Sequence, residues 1–210
     1  MHGSEVIVIG GSAGGLKAVQ GILRGLTDLR GSVVVAVLHR PPAYSPLANV
    51  LQTYTRLPVR EPDNSPWECP ANTVVVAPAG YQMLLGRRRR LSENPPSPVT
   101  PYESQPGVRA HLTLDAPVAY SRPSIDVTFT SAAGLPGPVT AVLLSCANDD
   151  GAAGCAAVRA AGGRVVLQDP ATCEAPIAVI AALRRVEPDH IADPEGIGAW
   201  LAESVGTQLP

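Results

Sequence analysis

The apolar positions of the chain fall into short blocks of two kinds. Glu5 to Ile9, Val33 to His39, Thr73 to Ala77, Val139 to Leu144 and Val165 to Leu167 are runs with little alternation, bounded by Gly, Pro, Asn or Asp. Runs of this length that are rich in β-branched residues read as strands buried on both faces, the situation inside a parallel sheet. A second kind of block repeats with helical spacing. Leu16, Val19, Ile22, Leu23 and Leu26 follow the first strand, and further helices are predicted over Asp126 to Ala133, Ala152 to Ala161 (closed by Gly162 and Gly163), Ala175 to Leu183 and Glu195 to Ser204. Strand and helix alternating in this order predict an α/β fold. Its expected form is an open, doubly wound, mostly parallel sheet with helices on both faces.

Length adds that 210 residues suit one domain spanning 1–210, with enough chain to bury a sheet core. The pattern fails only over about 87–110, where Pro95, Pro96, Pro98, Pro101 and Pro106 forbid regular ladders. That stretch reads as a surface excursion, and the basic run Arg87 to Arg90 within it as a solvated hairpin or loop tip.

Charge and composition mainly exclude. Sixteen Lys and Arg against eighteen Asp and Glu give a net charge of -2, so no global field favours a nucleic acid. Apolar runs such as Val33 to Leu38 are far short of the roughly 20 residues that span a bilayer, so no membrane insertion is expected. The N-terminus enters the strand pattern at once without the features of a targeting segment, which predicts a cytoplasmic location. Cys69, Cys146, Cys155 and Cys173 have no zinc-motif or C-x-x-C spacing. They read as reduced, space-filling thiols, and no metal or cofactor is implied.

Chemistry concentrates at the first strand end, where Gly10-Gly11-Ser12-Ala13-Gly14 matches G-x-S-x-G, the sharp strand-to-helix turn that lifts a serine hydroxyl above a sheet edge. The competing use of such a turn is to cradle a phosphate or nucleotide at the helix N-terminus. Against it, Ser12 stands where a dinucleotide fingerprint would need glycine, and no Gly-Lys-Ser/Thr follows. A serine needs a base. Of the four histidines, His2 lies at a chain end and His111 and His190 follow turn-like segments, whereas His39 closes the second strand and emerges at the same carboxyl edge as Ser12. The orienting carboxylate is then Asp149 or Asp150, in the loop after the strand Val139 to Leu144, where one of the two is also a candidate helix N-cap. Only one strand precedes Ser12 and the order is Ser, His, Asp, which disfavours an ordinary α/β-hydrolase.

Several blocks in order carry a closer resemblance. They are Ile7-Val8-Ile9-Gly10-Gly11-Ser12-Ala13-Gly14-Gly15, Leu38-His39-Arg40, Val76-Ala77-Pro78, Arg122-Pro123-Ser124-Ile125-Asp126-Val127, Asn148-Asp149-Asp150-Gly151-Ala152-Ala153-Gly154 and Gln168-Asp169-Pro170-Ala171-Thr172. With these the chain resembles the catalytic domain of the bacterial chemotaxis receptor protein-glutamate methylesterases (CheB-type). The resemblance implies Ser12 as nucleophile, His39 as base and Asp150 as the carboxylate. It further implies hydrolysis of γ-glutamyl methyl esters, with deamidation of some glutamines, on methylated chemoreceptor helices. Backbone N–H groups near Ala13 and Ala147 are the candidate oxyanion donors, and Gly11, Gly14, Arg40 and Asn148 are expected beside the substrate. Two departures are visible. Cys146-Ala147-Asn148 replaces the family's Gly-Met-Gly, and Ile177-Ala178-Val179 replaces a later Gly-Met-Pro turn. They keep open the alternative of a weakened or inactive CheB-like domain that binds a partner. Family members often carry a receiver domain ahead of the catalytic strand; here that strand comes first, so control by phosphorylation in cis is not expected.

Overall fold

The computed structural model describes residues 5–43, 45–87 and 107–205. In chain order the elements are β1 (Val6–Gly11), α1 (Gly15–Gly25), β2 (Val33–Leu38), α2 (Leu47–Gln52), β3 (Val59–Arg60), β4 (Trp67–Cys69), β5 (Thr73–Val76), β6 (Gln82–Arg87) and β7 (Val108–Thr113). They continue with α3 (Ile125–Ala133), β8 (Val139–Leu143), α4 (Ala152–Ala160), β9 (Arg164–Gln168), α5 (Ile177–Leu183), β10 (His190–Ala192) and α6 (Pro194–Ser204).

Seven strands form one sheet in the order β10-β9-β8-β1-β2-β5-β3, and every pair in it is parallel. Because successive side chains alternate between faces, β1 sends Val6 and Val8 into one apolar cluster and Ile7 and Ile9 into another. The first cluster is closed by α3, α4 and α5, the second by α1 and α6, so helices cover both faces. Double coverage is why the strands read as unbroken apolar runs.

The sequence pattern overlooks the smaller elements. A separate three-stranded antiparallel sheet, β4-β7-β6, packs beneath α3. In β7 the buried Val108 and Ala110 alternate with Arg109 and His111, a half-buried strand whose apolar positions are too few to stand out. The proline-rich excursion expected over about 87–110 is therefore narrower at both ends. Arg87 pairs with Val108 and Leu85 with Ala110 in the ladder, because the prolines all fall between these strands. Residues 88–106, including Arg88 to Arg90 of the basic run, lie outside the described residues, as does His2. Two further boundaries move. β1 continues through Gly11, and α5 begins at Ile177 rather than Ala175.

Register sets the site. Gly11 pairs with Leu38 and Gly10 with Leu143, so the residues after β1, β2 and β8 leave the sheet side by side at one carboxyl edge. The turn after β8 also needs a residue without a side chain. Gly151 has φ of 101°, and a Cβ there would stand 2.4 Å from Leu143 Cδ1 and 2.8 Å from Ile125 Cγ2. Gly162, at φ of 81°, has nothing within 4 Å of the same position. Urea unfolding is expected to show Gly162→Ala costing ~1 kcal/mol, from the left-handed backbone alone. Gly151→Ala, which adds a steric collision, is expected to cost ~3 kcal/mol or more.

Candidate active site

The first turn at the edge is fixed by its own backbone. Ser12 N donates to Ser145 O at 2.9 Å, Gly15 N donates to Ser12 O at 2.8 Å, and Gly14 takes the left-handed conformation with φ of 74° before α1 begins. His39 follows directly on β2, its N–H bonded to Gly11 O at 3.1 Å. The third loop is held by Ser145 N to Gln168 Oε1 (3.0 Å) and Cys146 N to Ala175 O (2.9 Å).

Asp150 is the polar centre of this edge. Its Oδ1 accepts from Ser124 Oγ (2.9 Å) and Asp126 N (2.8 Å), and its Oδ2 accepts from Ile125 N (2.9 Å) and His39 Nε2 (2.8 Å). Two of these donors are N–H groups at the start of α3, which have no partner inside their own helix. The arrangement is reciprocal, since Asp126 Oδ1 accepts from Gly151 N (2.9 Å) and Gly154 N (2.6 Å) at the start of α4. Each helix thus has its N-terminus neutralised by a carboxylate from the other. Asp149, by contrast, is exposed and stands 4.0 Å from Arg185. The adjacent aspartates therefore divide cleanly.

Burial favours the protonated form of Asp150, but His39 and the backbone N–H groups of Asp126 and Ile125 outweigh it and hold the carboxyl below its ordinary value. Burial pulls His39 down as well. The bond to Asp150 and the nearby Cys146 outweigh this and lift the imidazole from 6.5 to about 9. Asp126 moves the other way, raised by burial beyond what its backbone donors offset.

The structure brings His39 and Asp150 into contact and leaves the Ser12 hydroxyl unbonded among the described residues. The other ring nitrogen, His39 Nδ1, faces Ser121 Oγ at 3.1 Å and Cys146 Sγ at 4.0 Å. Ser121 carries no sequence signal, because it sits in an irregular turn. Ser124 and Asp126 do carry one, the Ser-x-Asp opening of a helix, although their service to Asp150 and α4 depends on tertiary contact. Asn148 braces the loop: its Oδ1 accepts from Asp150 N (3.3 Å) and its Nδ2 donates to Ala119 O (3.1 Å). Among the described residues no hydrogen bond holds the N–H groups of Ala13 and Ala147. Gly11 is buried under the edge.

Arg40, next to His39, is held by a dense set of acceptors. It donates to Glu61 Oε1 (2.6 Å), Ala77 O (2.9 Å) and Ser45 Oγ (2.9 Å), tying the loop after β2 to the loop after β5. With His39, Tyr120, Ser121 and Arg122 it also lines a cleft of about 430 Å³. His190 lies on the outermost strand β10, stacked on Trp200 at 5.4 Å. No helix among the described residues is long and apolar enough to cross a membrane.

Comparison with known proteins agrees with this architecture. A family model described as CheB methylesterase matches residues 7–201. A Leptospira interrogans protein provisionally named protein-glutamate methylesterase/protein-glutamine glutaminase is 29% identical over 195 residues, covering 92% of this chain and 91% of that protein. Protein-glutamate methylesterase/protein-glutamine glutaminase 2 of Cereibacter sphaeroides is 35% identical over 164 residues, covering 77% of this chain but only 40% of that longer protein. The crystal structure of the Thermotoga maritima CheB methylesterase catalytic domain superposes with a TM-score of 0.81 at 25% identity, covering 96% of this chain and 98% of that one.

The buried pair predicts a pH-dependent stability. Asp150 is depressed, so its contribution is present above the ordinary carboxylate range and is lost as pH falls through its native value. His39 is raised, so its contribution is complete below 6.5 and is lost as pH rises through about 9. Asp150→Asn, which removes the charge while donors still converge on the site, is expected to cost ~3 kcal/mol in urea unfolding. The gap to the wild-type protein should be widest on the acid side of neutrality and narrow as pH passes 9.

Proposed function

Because the chain belongs to the CheB methylesterase family, we propose that it is a serine hydrolase of γ-glutamyl methyl esters on chemoreceptor-like helices, with Ser12 as nucleophile, His39 as general base and Asp150 as the orienting carboxylate. The observation that carries this reading is the 2.8 Å contact between His39 Nε2 and the ionised, fully buried Asp150, at the edge where Ser12 leaves β1. Residues 1–210 act as one catalytic domain in this reading.

The chemistry follows from the tautomer. Asp150 holds the proton on Nε2, which leaves the Nδ1 lone pair as the basic site. Ser12 attacks the ester carbonyl while Nδ1 takes the hydroxyl proton, general-base help worth on the order of 10²- to 10⁴-fold. The N–H groups of Ala13 and Ala147 receive the charge that develops on the carbonyl oxygen, each worth on the order of 10²-fold or more. Methanol leaves with the Nδ1 proton. Water, deprotonated by the same nitrogen, then splits the acyl-serine and releases a glutamate carboxylate. A glutamine side chain would follow the same course with ammonia as the leaving group. The Ser12 hydroxyl must move onto Nδ1 when substrate binds, as bonds of this kind often tighten only in the complex.

A second reading, a non-catalytic module that binds a partner, is favoured by the Cys146-Ala147-Asn148 loop and by the unbonded Ser12 hydroxyl. Turnover decides between them. Ser12→Ala is expected to lower methanol release from methylated receptor helices by roughly 10⁴-fold without lowering the unfolding midpoint, and unchanged release would remove the nucleophile assignment. Since only neutral His39 can accept a proton, kcat/KM of the wild-type enzyme should climb with pH and level off above about 9. A profile already flat at pH 7 would contradict the assignment of His39 as base.

A further inference from the structure

The hydroxyl nearest the base is not that of Ser12. Ser121 Oγ stands 3.1 Å from His39 Nδ1. A neutral imidazole whose Nε2 proton is committed to Asp150 has a single in-plane lone pair, at Nδ1, and one hydroxyl fills it. Asp150 already fixes the tautomer through four accepted hydrogen bonds, so Ser121 is not needed for that task.

The turn that delivers Ser121 is built with some strain. Val118 and Ser121 exchange both backbone hydrogen bonds (3.1 and 2.8 Å), and between them Ala119 and Tyr120 have φ of 46° and 63°. Two consecutive side-chain-bearing residues in the left-handed region persist only where the surroundings enforce them. Here the surroundings are the site itself. Asn148, from the loop of Asp150, donates to Ala119 O at 3.1 Å, and Gln82 of β6 donates to Ala116 O at 3.1 Å and Ser121 O at 3.4 Å. The Ser121 hydroxyl has a second acceptor within reach, Ala119 O at 3.4 Å. Tyr120, at the tip, is fully exposed beside the cleft that His39 and Ser121 share.

We infer that Ser121 is a positioning residue of the base: in the neutral form of His39 that proton transfer requires, it holds Nδ1 and yields it to Ser12 when its hydroxyl turns to Ala119 O. No bond is made or broken in the exchange, and the proton stays on Ser121. While Ser121 occupies Nδ1, Ser12 has no acceptor for its proton, so reactivity scales with the fraction of molecules in which the nitrogen is released. Ser121 is a poor nucleophile by position. Its own N–H is bonded to Val118 O, and the first N–H groups of α3, four and five residues on, are committed to Asp150 rather than open to an oxyanion. The inference rests on the assignment of Ser12 as nucleophile.

The test is the rate at which a serine-directed fluorophosphonate modifies the full chain, with the labelled peptide mapped by mass spectrometry. With labelling run above about pH 9, where His39 is neutral, Ser121→Ala is expected to label at Ser12 two- to tenfold faster than the wild-type protein, the competition one hydrogen bond can exert. Ser121→Thr, which returns a hydroxyl, should bring the rate back down. A structural role alone would slow labelling rather than quicken it. An equal or slower rate in folded Ser121→Ala would overturn this inference and leave the Ser12 assignment standing. Label on Ser121 in the wild-type chain would overturn it in favour of a second nucleophile, and absence of label at Ser12 in both proteins would overturn the Ser12 assignment and this inference together.

Discussion

One buried charge organises the whole carboxyl edge of the sheet. Asp150 is ionised inside the protein because four donors meet it, two from the backbone at the start of α3, one from Ser124 and one from His39. An unpaired carboxylate in that place would be unfavourable by several kcal/mol. The backbone donors are themselves groups that a helix end must satisfy somewhere. A single side chain therefore settles the polar requirements of a helix terminus and of an imidazole, and α3 cannot shift without disturbing His39.

The exchange of carboxylates between α3 and α4 extends the constraint. Asp126 bonds to the N–H groups of Gly151 and Gly154, so the segment carrying Asp150 is gripped by the helix that Asp150 caps. Gly151 lets the two helices approach, since its missing Cβ is the space taken by Leu143 and Ile125. Packing and electrostatics then specify the same geometry, which is how a site gains precision.

The parts of this arrangement that were legible in the sequence are those with period. Val33 to Leu38 and Val139 to Leu143 announce doubly covered strands, and the Gly-rich turn around Ser12 announces a sharp strand-to-helix corner. From these follow the parallel sheet and the shared edge of Ser12, His39 and Asp150. The antiparallel sheet is harder to see, because β4 and β7 bury few side chains and β6 runs into the proline-rich segment. Hardest are Ser121 and the reciprocal caps. Nothing local distinguishes the turn at Val118 to Ser121, and whether Asp126 serves its own helix or a neighbour's depends on contacts made across 25 residues or more of chain. Of the aspartate pair, the block resemblance singles out Asp150, and burial separates it from the exposed Asp149.

The contact between His39 and Asp150 closes 111 positions of sequence, and neither strand that delivers it is adjacent to the other in the sheet. A chain emerging from the ribosome holds Ser12, His39 and the glycine corner long before Asp150 exists. The pairing of imidazole and carboxylate is thus a property of the assembled sheet, and no single segment of the chain carries it alone.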